Sequence, residues 1–109
     1  NRLTKTIENR SLLASVTAMS VDKTPGGAIV RATGLSTTQG YYNAQLVLAG
    51  IENGVLTLEF RAQAPTDIQI SGATATREIT SARAFSNEEL FTIKTIRVVA
   101  ANNSRSARR

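Results

Sequence analysis

The side chains able to do chemistry in this sequence are carboxylates, hydroxyls, a tyrosine pair and arginines, because histidine and cysteine are both absent. Their absence removes the imidazole base, the thiol nucleophile and the usual ligand sets for zinc or haem. Acid–base chemistry would need two carboxylates converging on one bond. Glu88 and Glu89 instead stand side by side at the start of an expected helical turn, where the helix dipole favours negative charge. Glu59 and Glu78 fall on outward positions of expected strands, near Arg61 and Arg77. Exposed pairs of that kind stabilise by roughly 0–1 kcal/mol. Serine and threonine are plentiful, but an activated hydroxyl needs a base beside it, and only lysine or a carboxylate could serve here. Pro25-Gly26-Gly27 is too short to cradle a phosphate, and no phosphate-loop lysine follows it. The sequence therefore offers no catalytic, metal or cofactor-binding residues, and a non-enzymatic protein is expected.

Recognition is the remaining chemistry. Adjacent strand residues point to opposite faces, so one of Tyr41 and Tyr42 should enter the core and the other the surface. An exposed tyrosine beside Gln39, in the polar Gly34–Gly40 loop, would suit stacking on a sugar or anchoring a partner protein. Arg105, Arg108 and Arg109 form the second candidate contact, with phosphates of nucleic acid or lipid as their natural ligands.

These residues sit on a framework of short strands. Val16–Val21 and Ala28–Thr33 flank the turn Asp22-Lys23-Thr24-Pro25-Gly26-Gly27 and read as a hairpin. In Tyr41–Leu48, Tyr42, Ala44, Leu46 and Leu48 alternate against Tyr41, Asn43 and Gln45. Asn53-Gly54 suits the positive φ of a tight turn, and Val55–Ala62 pairs back with Leu56, Leu58 and Phe60 inward. Pro65 closes that strand, a short edge strand fits Ile68–Ile70, and Arg77–Phe85 follows. Ser86 with Glu89 is a capping-box pattern for one helical turn, and Lys94–Ala101 is the last strand. A helical turn fits Lys5–Leu13. This pattern predicts an all-β chain, an immunoglobulin- or fibronectin-like β-sandwich of six to seven short strands, with a small β-barrel as the alternative. Residues 1–13 would be a polar arm or tether, 14–101 the sandwich domain, and 102–109 a frayed basic tail.

Of the 109 residues, 41% are apolar, enough for one thin core, and no apolar run approaches the ~20 residues of a membrane helix. The net charge of +5 is carried by the two ends: residues 11–101 hold seven basic and seven acidic groups. That balance argues against a folded nucleic-acid-binding face.

Three segments carry a resemblance: Pro25-Gly26-Gly27-Ala28-Ile29-Val30-Arg31-Ala32-Thr33-Gly34, Gln39-Gly40-Tyr41-Tyr42 and Thr95-Ile96-Arg97-Val98-Val99-Ala100-Ala101-Asn102. Through them the chain resembles a group of small uncharacterised lipoproteins of alphaproteobacteria, over roughly residues 15–109. The resemblance implies a periplasmic domain with a signal peptide and a lipid-bearing cysteine upstream of Asn1, and it brings no activity with it. The expected role is a cell-envelope binding or assembly module, a tethered accessory component of a larger complex. Its expected partners are another protein and, through the basic termini, an anionic membrane surface, with no small-molecule substrate evident. A polyanion- or nucleic-acid-binding domain is the alternative, and a carbohydrate-active enzyme the third.

Overall fold

The computed structural model describes residues 10–38, 40–64 and 77–109. Eight strands form within them: β1 (Ser11–Leu12), β2 (Ser15–Thr24), β3 (Gly27–Leu35), β4 (Tyr42–Glu52), β5 (Val55–Gln63), β6 (Glu78–Ser86), β7 (Thr95–Val99) and β8 (Ser104–Arg108). β2, β3 and β6 make an antiparallel sheet with β3 in the middle. In the larger sheet β5 pairs with β4 along one edge. Its other edge is shared end to end by β7, paired in parallel, and the short β1. β8 adds antiparallel to β7. Both sheets are open and pack as a sandwich; they do not close into a barrel.

Period-two alternation builds the core. Leu56, Leu58, Phe60 and Ala62 of β5 are at most 1% exposed, and Ala28, Val30 and Ala32 of β3 face them. Ile96 and Val98 of β7 complete the layer. Full burial of a side chain such as Leu58 stabilises by about 1.5–3 kcal/mol. Gly34 lies tight against both its neighbouring strand and the facing sheet: a Cβ there would stand 2.7 Å from the Ser15 carbonyl and 3.1 Å from the Phe60 ring. At the β4–β5 turn, Asn53 and Gly54 both take positive φ, 52° and 79°, as a tight hairpin turn requires.

Several expectations change. The tail 102–109 is not frayed: Ser104–Arg108 is a strand, and the strand before it is Thr95–Val99 rather than Lys94–Ala101. The arm's last residues belong to the domain, since Ser11–Leu12 pair with β5 and Leu13 is 1% exposed. The expected helical turn over Lys5–Leu13 thus ends in strand, and its first residues lie outside the described ones. So does the edge strand at Ile68–Ile70. The capping box is present in full, with Glu89 accepting from the Ser86 N–H at 2.8 Å and Ser86 Oγ accepting from the Glu89 N–H at 3.1 Å. It caps a hydrogen-bonded turn over 87–92 that drops Leu90 and Ile93 into the core.

Gly34→Ala should destabilise the domain by about 1–3 kcal/mol through overpacking. Gly26→Ala, whose Cβ meets nothing within 4 Å, should change stability far less. Urea unfolding followed by circular dichroism checks both.

Candidate functional site

The two sets of expected contact residues lie apart. Gln39 is outside the described residues. Tyr41 packs partly buried against the core, with its hydroxyl 3.4 Å from Thr37 Oγ1, while Tyr42 is 47% exposed. This reverses the simple alternation. The cause is local: Asn43 adopts φ 54°, and the β4–β5 register slips between Tyr42 and Gln45, so the strand turns over once at its start. Both tyrosines stand at the end of the sandwich where β4 begins.

The three arginines sit on β8 or just past it, on the far edge of the larger sheet and on different faces. Arg105 lies opposite buried Val98 and therefore points inward, where its Nε donates to the Val16 carbonyl at 3.2 Å. Arg108 lies opposite Thr95 on the outward face. Arg109 follows the strand and donates to the Ile93 carbonyl. They present no common surface.

The carboxylates are likewise dispersed. Glu59 pairs with Arg61 at 2.8 Å, as its strand position suggested. Arg77 donates to the Ser36 carbonyl at 3.1 Å, and Glu89 is held by its cap. The Ser20-x-x-Lys23 spacing lies on β2, where residues three apart point to opposite faces, so the hydroxyl and the amine do not meet. Among the described residues no group of three potential metal ligands converges.

What the fold does gather is an open region on the β4–β5 hairpin, which sequence reasoning passed over. β4 runs eleven residues from Tyr42 to Glu52 with no lysine, arginine or proline. Among the described residues only β5 pairs with it. Leu48 and Ile51 lie opposite the buried Leu58 and Leu56, on the core side of the sheet, yet are 43% and 53% exposed. They stand at the margin of a sheet wider than the three-stranded sheet it packs on, so the core does not reach them. Behind them a second register slip, between Leu48 and Gly50, opens the outward face. A concavity of about 600 Å³ follows, lined by Ala49, Gly50, Ile51, Glu52, Thr57 and Arg97 among others, so it mixes apolar side chains with one charge of each sign. The available signal was the run Leu46-Val47-Leu48-Ala49-Gly50-Ile51, too long and too apolar for a strand edge meant to face water.

Tyr41→Ala should destabilise the domain by about 1–2 kcal/mol, whereas Tyr42→Ala should stay within about 0.5 kcal/mol of the parent. Thermal or urea unfolding of the two variants separates them. As for likeness to known proteins, no family model matches the chain, and no curated protein or solved structure is significantly similar to it.

Proposed function

We propose that the domain is a non-enzymatic binding module that takes up an extended segment of a partner protein along the free edge of β4. The observation that carries this reading is an edge of β4 that no other strand covers among the described residues, beside exposed Leu48 and Ile51. Strand addition draws affinity from main-chain hydrogen bonds and specificity from alternate side chains. An added strand would present apolar residues on the side of Leu48 and Ile51, and polar or charged residues over the concavity holding Glu52 and Arg97. Proteins blunt edges they do not use with lysine, proline, inward-facing charge or bulges. The edge strands β2, β6 and β8 carry an inward cation, Lys23, Arg83 and Arg105. β4 carries none, and its irregularities are its two register slips. In this reading the module works on the periplasmic side of a bacterial envelope as part of a larger assembly, tethered by a lipid upstream of Asn1. That setting rests on the resemblance alone.

The test places a photo-crosslinking residue at position 48, at 51 or, on the far sheet, at Ser20. A discrete protein adduct is expected from 48 and 51 and not from 20. Leu48→Lys should abolish the adduct formed at 51 while leaving the unfolding midpoint within about 0.5 kcal/mol. Equal products from all three positions, or none from 48 and 51, would contradict strand addition.

A further inference from the structure

Three cations point inward from edge strands of the sandwich, and two of them have an acceptor. Arg83 donates to the Leu46 carbonyl at 2.9 Å, and Arg105 to the Val16 carbonyl at 3.2 Å. Lys23 is the third. It lies opposite Ala28, 3% exposed, and so shares the core side of the three-stranded sheet. Among the described residues its ammonium group has neither an ion pair nor a hydrogen bond. It stands instead on a cleft of about 230 Å³ between the sheets, lined by Lys23, Thr24, Gly27, Ala28, Asn87 and Arg109. Arg109 brings the second cation, with one Nη1 contact of 3.5 Å to the Ile93 carbonyl. No lining residue is acidic.

The nearby carboxylates are engaged or turned away. Asp22 sits on the opposite face of β2 and bonds Arg31 at 3.3 Å. Glu89 accepts from the Ser86 N–H, and Glu88 rides beside it on the exposed turn. The cleft therefore concentrates two positive side chains with no acidic side chain among its lining residues. Asn87 has its amide N–H₂ on the Pro25 carbonyl at 3.2 Å, which leaves one amide hydrogen to complete a donor set.

We infer that this cleft binds a phosphate group, through Lys23 and Arg109 with Asn87 as a neutral donor. A dianionic phosphate matches the two cations, and charge-assisted bonds to its oxygens are the strong class of hydrogen bond. The site lies on the β2–β8 seam, across the sandwich from the β4 edge, so it stands independently of strand addition. Its ligand is a free phosphate compound or the phosphomonoester head of a lipid; the chemistry recognised is the same.

The probe is inorganic phosphate, titrated at constant ionic strength against the ¹⁵N-labelled domain, with chloride as control. Saturable shifts are expected in the amides of Thr24, Gly27, Asn87 and Arg109. Lys23→Gln should weaken the apparent affinity roughly tenfold or more, and Lys23→Gln with Arg109→Gln should abolish it. Dispersed spectra of the variants show that they remain folded, both positions being exposed. Vesicles containing phosphatidic acid, against pure phosphatidylcholine, then distinguish the sources. Retention lost in the double variant assigns the lipid head group, and saturable free phosphate without retention assigns a soluble ligand. Linear shifts, or a double variant that titrates like the parent, would overturn the site.

Discussion

At the seam between the two sheets, the side-chain amide of Asn103 does the work of a peptide group. It accepts a hydrogen bond from the Val16 N–H at 2.8 Å and donates one to the Val16 carbonyl at 2.9 Å. Val16 is fully buried, so neither backbone group can turn to water. Arg105 adds a second donor to the same carbonyl. The opposite seam is joined in the same manner, Ser81 Oγ donating to the Ala44 carbonyl at 3.3 Å and Arg83 to the Leu46 carbonyl at 2.9 Å. Two open sheets have edges whose ladder groups lack neighbours, and here side chains supply the missing bonds. An orphaned buried N–H or C=O costs about 1–3 kcal/mol, so these contacts are what let the sandwich stay open without closing into a barrel.

The rest of the molecule follows from where this stitching stops. On the β4 side these contacts end at Leu46 among the described residues, and past it the strand keeps its exposed apolar pair and an edge that no described strand covers. On the β2 side they end at Arg105, and past it the sheets part around Lys23 and Arg109. The two proposed contact regions are thus the unstitched lengths of the two seams. One offers backbone and apolar surface, the other positive charge. The hairpin tip and the capped turn hold this end in shape, because the Gly54 carbonyl accepts from both Lys94 N and Thr95 N, at 2.7 and 3.1 Å.

Much of this architecture is legible in local sequence, where the deciding interactions are themselves local. Asn53-Gly54 announces its turn, the alternation of Leu56, Leu58 and Phe60 announces a buried strand, and Ser86 with Glu89 announces the cap. What escapes is decided across the fold. β8 looks like a tail because its inward positions, Arg105 and Ala107, face a seam rather than the core, and among the described residues β7 alone pairs with it as a strand. The parallel β5–β7 pairing leaves no local trace at all. Which tyrosine of the pair faces inward is decided by a single bulge at Asn43, since one extra residue exchanges the two faces of a strand. Lys23 reads as a turn residue until the register places it opposite Ala28 and the fold brings Arg109 to it.

The central claim is that side chains complete the backbone ladders at the seams, and native-state hydrogen exchange at the Val16 amide addresses it most directly. In the parent that amide should exchange only through global opening. In Asn103→Ala its protection should fall by at least about tenfold, with global stability lower by about 1–3 kcal/mol. Asn102→Ala, altering the neighbouring exposed side chain, should leave both unchanged. A Val16 amide as well protected in Asn103→Ala as in the parent would contradict the account.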